Sequence, residues 1–407
     1  MSQTPVSLVS ADGSRKVTLA RYACFAEQTR GRLILEPEDP DRSPFERDRD
    51  RIIHSAAFRK LQYKTQVFIV REGDYYRTRL THTLEVAQIA RSIAAALDLD
   101  QPLAEAIALA HDLGHTPFGH TGEDAMSACL KQFDLPAFDH NDQSFRILTQ
   151  LEARYAAFDG LNLTWDTLEG VAKHNGPLTE QTAQSITAFD RKMSLDLDGF
   201  ASLEAQSAAL ADDIAYNNHD VEDGLRAGLF ALEDLRAIPV LERLIAEVRS
   251  AYPALDDKRV GSEVIRRMIG VTVRDVIACA RARLAAFPQA SCAAVRKHDK
   301  AIIRFSPEMA ENIRLLRHFL LTRMYRHYQI NRVRAKAKRV IEQLFWFYLE
   351  SPSCLPDEWR IQAEAMREKE RVRLVTDYIA GMTDHYALRE HALLFENNFT
   401  PQNPLAW

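Results

Sequence analysis

The stretch Ala108-Leu-Ala-His111-Asp112-Leu-Gly-His115-Thr-Pro-Phe-Gly-His120-Thr-Gly-Glu123 crowds three histidines, one aspartate and one glutamate between positions 111 and 123. These are the side chains that ligate divalent metals or carry protons near neutral pH. The stretch begins as an apolar helix and breaks at Gly114, Pro117 and Gly119. Buried His and Asp without partners are costly, so such a cluster at the end of an apolar helix implies something that binds them. Neighbours on a helix diverge by roughly 100°. His111 and Asp112 therefore reach one ion only near a helix end, with further ligands arriving from elsewhere.

Two other segments supply candidates. Arg79-Leu-Thr-His82 opens a helix on which His82, Val86, Ile89 and Ile93 share one stripe, so His82 points to the core. In Ala211-Asp212-Asp213-Ile-Ala-Tyr216-Asn-Asn-His219-Asp220, the residues Asp212, Tyr216 and Asp220 share a face at i, i+4 and i+8. An ionisable stripe on an otherwise apolar helix is better explained by a site than by packing. Singly, each piece has an ordinary reading: a satisfied core histidine, a chance His-Asp pair, a solvated helix face, a buried tyrosine with its hydroxyl bonded. The arrangement His82, His111-Asp112, Asp212, each on a predicted helix, points instead to a metal centre. Mixed imidazole and carboxylate ligation suits Mg, Mn, Co, Ni, Fe or Zn rather than a soft-thiolate metal. Two histidines and two aspartates leave positions open for water and substrate.

The elements that must position these residues are mostly helices. Apolar periodicity predicts helices over Leu84–Leu97, Leu103–Leu113 and Ser202–Leu210 running on toward Glu222. More follow over Leu225–Val248 (interrupted at Pro239), Ser262–Arg283, Glu308–Tyr328 and Lys336–Glu350. The best strand candidate is Lys64–Arg71 with the segment after it. Residues 1–40 read as an arm, Asp139–Pro177 as loops between short helices, and Leu178–Gly199 as an exposed polar excursion. The expected class is mainly α.

Bulk properties exclude several alternatives. The 407 residues are 46% hydrophobic and 27% charged, ordinary for a globular chain. A net charge of −5 gives no global attraction to nucleic acid or anionic lipid, so an anion site needs a local basic cluster. Five widely spaced cysteines with no CxxC pair argue against a disulfide framework or a thiolate zinc site, and fit a reducing cytoplasm. No apolar run approaches bilayer length, and no signal-peptide core is visible, so no membrane association is expected.

Further motifs extend the pattern: Arg42-Ser-Pro-Phe-Glu-Arg-Asp-Arg-Asp-Arg-Ile-Ile-His54 through Gln66, Phe138-Asp-His140-Asn-Asp-Gln-Ser, Leu168-Glu-Gly-Val-Ala-Lys173-His174-Asn-Gly-Pro177, and Asp377-Tyr378-Ile-Ala-Gly-Met-Thr-Asp384. With His111–Glu123, they resemble the HD superfamily, and within it the deoxyguanosine-triphosphate triphosphohydrolases, from about Arg42 to about Tyr386. The resemblance implies an HD-domain helical fold with additional C-terminal helices: an arm over 1–41, an HD metal-hydrolase core over 42–230, and a helical region over 231–407 packed on it. It implies His82, His111, Asp112 and Asp212 as metal ligands, with Asp212 preferred to Asp213 because it sets Tyr216 and Asp220 at +4 and +8. It implies His120 with Glu123 as the proton-handling pair, and His115 and His140 lining the same pocket. Arg79 would hold the α-phosphate, Gln66 and Asp220 would read the sugar 3′-hydroxyl, and Tyr216 would lie under the deoxyribose.

The implied reaction is hydrolysis of a deoxynucleoside triphosphate to deoxynucleoside and triphosphate. Two alternatives remain open: an HD-type nucleotide phosphatase or phosphodiesterase, and a non-enzymatic nucleotide- or nucleic-acid-binding protein on the same fold. The basic run Arg323–Arg339 reads as a solvated helix face. The resemblance adds a regulatory dNTP, weak single-stranded nucleic acid and a homo-oligomer as partners to consider.

Overall fold

The computed structural model describes residues 18–66, 77–178 and 184–395. Its main helices are α1 (Pro44–Ile53), α2 (Arg79–Ala96), α3 (Gln101–Ala110), α4 (His120–Lys131), α5 (His140–Arg146), α6 (Trp165–Ala172), α7 (Leu203–Arg226), α8 (Pro239–Ala251), α9 (Asp257–Ala285), α10 (Pro307–Leu320), α11 (Tyr328–Glu350), α12 (Glu368–Ala380) and α13 (Asp384–Phe395). Pairing between extended segments is limited, among the described residues, to isolated bridges such as Thr65 with Thr78. The mainly α class is as expected. The strand candidate Lys64–Arg71 falls largely outside the described residues. No described helix is long and apolar enough to cross a membrane.

Local chemistry sets the helix starts. The Ser43 side chain accepts from the Glu46 amide while Glu46 returns to the Ser43 amide, closing a capping box on α1. Thr78 caps α2, Asp100 caps α3 ahead of Pro102, and Ser202 caps α7. These caps fix where the helices bearing His82, His111 and Asp212 begin.

Three apolar clusters hold the helices. One is centred on α2, α3, α6 and α7, with Ile93, Ile107 and Ile214 fully buried. It also takes in Ala23 and Cys24 from the N-terminal segment and Ile186, Phe189 and Leu195 from the segment expected to be an exposed excursion. The helix Gln184–Asp190 turns its apolar residues inward, so that segment is anchored. A second cluster packs α4 against α11, α12 and α13. The third joins α8, α9 and α10 to the end of α7.

Two predicted helices are divided differently. No helix spans Leu225–Val248: α7 ends at Arg226, Gly228 takes φ +65°, a 3₁₀ turn covers Leu232–Ala237, and Pro239 opens α8. Proline fits the first turn, where its missing N–H is no loss, so it starts a helix here rather than interrupting one. Glu308–Tyr328 is likewise not one regular helix, because α10 stops at Leu320 and a wide π turn spans Leu321–Tyr325.

The α3 cap carries a pH dependence. Burial raises the Asp100 pKa to about 7, helped by Glu204 and opposed by the Leu103 amide. A carboxyl raised in the folded state costs nothing at low pH and destabilises increasingly as pH climbs from about 4 toward 7. Asparagine caps as well as aspartate without the charge. Asp100→Asn should therefore leave the melting temperature unchanged near pH 4 and raise stability at pH 8 by roughly 1–3 kcal/mol, read by thermal melts at both values.

Candidate metal centre and its cavity

A cavity of about 490 Å³ opens between α2, α7, the end of α10 and the loop after α3. It is lined by Gln66, Arg79, His82, His111, Asp112, His115, His120, His140, Tyr216 and Asp212, all proposed from sequence. Glu123 and Asp220, also proposed, stand behind the wall. Glu123 supports His120 and His140, and Asp220 lies fully buried beside Tyr216.

The cavity gathers His82, His111 and Asp212, whose ligand atoms lie within 4.8 Å of one another. Their hydrogen bonds fix which atoms face inward. His111 Nδ1 donates to the Ala108 carbonyl at 2.7 Å, so Nε2 carries the lone pair. That nitrogen is buried without a hydrogen bond, 3.3 Å from an Asp112 oxygen and 3.6 Å from an Asp212 oxygen.

His82 is set by a relay. His219 Nε2 donates to the Glu85 carboxylate at 2.7 Å, which leaves His219 Nδ1 as the acceptor for His82 Nδ1 at 3.1 Å. His82 Nε2 then presents its lone pair 2.9 Å from Asp212 Oδ1. Burial and nearby Arg77 hold His219 below the ordinary histidine pKa, against Glu85, in keeping with a neutral ring. Lone pairs of two imidazoles and the Asp212 carboxylate thus converge, with an Asp112 oxygen beside His111, and a cation satisfies them. The donor set fits a divalent ion, with the outer partners that metal-bound histidines need.

The electrostatics agree. Burial opposes charge on His111, but Asp112 and Asp212 outweigh it and raise its pKa to about 9. Burial also opposes charge on Asp212, but His111, His174 and His82 hold its carboxyl well below the usual range.

Asp112 borders a second group. Its other contacts are Arg79 Nη1 at 3.0 Å and His115 Nδ1 at 3.0 Å. His120 Nδ1 and His140 Nδ1 both reach Glu123 at 3.1 Å. Burial works against charge on Glu123, yet those two histidines keep it well below the usual carboxylate range. Asp213 instead pairs with Arg317 at 2.7 Å.

The loop carrying these residues is built for close approach. A Cβ on Gly114 would run into the His140 carbonyl and the Ser144 amide, and one on Gly119 would crowd the Arg79 guanidinium. Phe118 and Gly119 take φ of +64° and +57°. Buried Lys64 donates to the His115 and Ala380 carbonyls, and the Asp384 carboxylate accepts from the Phe118 and Thr65 amides. Burial pulls the Lys64 pKa down to about 7, with Lys60 adding and Asp384 opposing.

Several lining residues lay outside the sequence-based set, among them His174, Arg317, Leu321 and Tyr325. His174 stands 3.5 Å from Asp212 and stacks on His111, with its Nδ1 buried and unpartnered. Its motif, Lys173-His174-Asn-Gly-Pro, was visible without a role. Arg317, Leu321 and Tyr325 come from α10 and the π turn. The Tyr325 hydroxyl meets the Tyr216 hydroxyl at 2.8 Å and donates to Asp220. Nothing in the sequence near Tyr325 marks it.

A model of the HD domain matches residues 79–217, and a phosphohydrolase-associated domain matches 303–393. A deoxyguanosinetriphosphate triphosphohydrolase-like protein of Caulobacter sp. (strain K31) is 53% identical over 384 residues, covering 93% of this chain and 97% of that protein. Proteins with the same description from Brucella canis (54%, 93% and 95%) and Roseobacter denitrificans (53%, 92% and 97%) align over similar spans. The chain belongs to this family. It is a helical HD-domain phosphohydrolase, and the matched domains meet at the cavity, α2 and α7 from one and the π turn from the other.

Two variants probe the geometry. Loss of an outer partner of a metal-bound histidine typically costs about 10–100-fold in metal affinity. His219→Ala is expected to weaken binding of Mn²⁺ or Co²⁺ by that factor, seen by calorimetry, while leaving the far-UV circular dichroism intact. Gly114→Ala meets backbone on both sides, so it is expected to destabilise by several kcal/mol, about the range of severe overpacking, with loss of metal binding. Unchanged affinity and melting in these proteins would contradict the arrangement.

Proposed function

We propose that the protein hydrolyses deoxynucleoside triphosphates to deoxynucleoside and inorganic triphosphate. The observation that carries the hydrolase reading is the convergence of His82, His111 and Asp212 in an open cavity, with an Asp112 oxygen 3.3 Å from His111 Nε2. The deoxynucleotide part draws on the descriptions carried by the relatives. His82, His111, Asp112 and Asp212 would hold a divalent ion. When bound, such an ion polarises a phosphoryl oxygen and lowers the pKa of bound water.

The remaining steps fall to the chain itself. Arg79, nearly fully buried with its Nε unpartnered, neutralises charge on the α-phosphate with a planar fork. Water adds to the α-phosphorus, the bond from phosphorus to O5′ breaks, and O5′ needs a proton. His120 supplies it. Its side chain is 61% exposed at the cavity mouth, and Glu123 binds its Nδ1, fixing the ring. His115 and His140 complete the phosphate side of the wall. Gln66, whose Oε1 is buried without a partner, and Asp220 would take the 3′-hydroxyl. Tyr216 would lie against the sugar face where a 2′-hydroxyl would crowd it. Tyr325 already occupies one Asp220 oxygen, so a bound sugar must share or displace that contact.

A screen of the four dNTPs, singly and in pairs, with Mg²⁺, Mn²⁺, Co²⁺ and Ni²⁺, should release triphosphate. Orthophosphate from a monophosphate, or binding without turnover, would overturn the proposal. His120→Ala is expected to keep the metal and lose about 100-fold or more in kcat, the usual worth of a positioned acid; full activity would remove its role. Asp212→Ala should lose the metal and Asp213→Ala should keep it, and the reverse would place the register one residue off.

A further inference from the structure

His115, His120 and His140 form a second cluster in the same cavity, with one ring nitrogen from each within 4.8 Å of the others. The reaction above asks only one of them to carry a proton. His115 and His140 stack with ring centres 4.1 Å apart, and His120 meets them edge-on at 5.4 and 5.6 Å. Each ring has its Nδ1 on a carboxylate: His115 on Asp112, His120 and His140 on Glu123. A carboxylate on one nitrogen orients an imidazole and leaves the other nitrogen as a basic lone pair, the pattern seen around metal-bound histidines. Among the described residues, no hydrogen bond is made by Nε2 of any of the three.

We propose that His115, His120 and His140 bind a second metal ion, of the borderline class that prefers imidazole: Zn²⁺, Ni²⁺ or Co²⁺. A set of three imidazole nitrogens does not suit Mg²⁺, which takes oxygen ligands. Asp112 borders both ions, with one oxygen 3.3 Å from His111 Nε2 and 3.0 Å from His115 Nδ1. Glu123, Asp139 and His140 also approach one another closely. That group is the weaker trap, because Asp139 is exposed and its Oδ1 accepts from the Asn141 amide as the α5 cap. An ion at the three histidines competes with a proton for His120. The site stands on geometry and does not depend on the substrate proposed above.

Metal stoichiometry tests it without any turnover. The full chain, stripped with chelator, is titrated with Zn²⁺ and with Co²⁺. Bound metal is counted by elemental analysis after gel filtration, and Co²⁺ ligand-field bands are followed. The wild type should hold two Zn²⁺ per chain. His120→Ala and His140→Ala should each hold one, Asp212→Ala one, and Asp139→Ala two. His120 is well exposed, so its truncation does not threaten the fold. One Zn²⁺ in the wild type, or two retained in both His120→Ala and His140→Ala, would overturn the proposal. Either result leaves the triphosphate assay as a separate question.

Discussion

Hydrogen-bond acceptors do not sit face to face in a buried cleft unless a cation lies between them. At the floor of this cavity, His111 Nε2, His82 Nε2 and the oxygens of Asp112 and Asp212 do face one another. Much of the surrounding structure keeps them there. The Ala108 carbonyl settles the His111 tautomer, and the Glu85–His219 relay settles that of His82. α2, α3 and α7 meet in one apolar cluster, which makes the separation between ligands a matter of packing rather than of flexible loops.

A second layer ties this centre to the C-terminal helices. Lys64 bridges the His115 loop to the end of α12 through two carbonyls, and Asp384 at the start of α13 accepts from Thr65 and Phe118. Asp377 of α12 accepts from Gln143 and Arg146 of α5, the helix that carries His140. The C-terminal region therefore does more than pack on the core. It holds the loop between α3 and α4 and the histidine-bearing end of α5.

Legibility in the sequence followed the range of the interaction. His82 was readable because periodicity puts it on the apolar stripe of α2, Asp212 and Tyr216 because they share a face of α7, and His111-Asp112 because an apolar helix seldom ends in such a polar cluster. The helix starts were readable where caps and Pro102 are local. Pro239 was misread because the same residue breaks a helix interior and opens a first turn. Phe189 and Leu195 were lost in a polar segment whose few apolar residues are spaced for burial by distant helices. Tyr325 and Arg317 reach the cavity across more than 100 positions from their partners Tyr216 and Asp213, and the π turn that turns Tyr325 inward has no sequence signature. His219 read as one more polar residue on α7, since its role exists only once Glu85 and His82 stand on either side.

The Lys64 and Asp384 contacts bear on how the protein comes into being. The helices bearing the metal ligands leave the ribosome long before residues 380–384 are synthesised. Until those residues arrive, the His115 loop lacks its tether and Phe118 lacks the acceptor that holds its left-handed backbone. The apolar cluster around α2, α3, α6 and α7 draws on buried residues only as far as Ile303, so all of its members precede these tethers in the chain. The tethers of the centre are thereby among the last residues to be made, and a chain that stops short of residue 380 carries every proposed metal ligand without the contacts that hold the His115 loop.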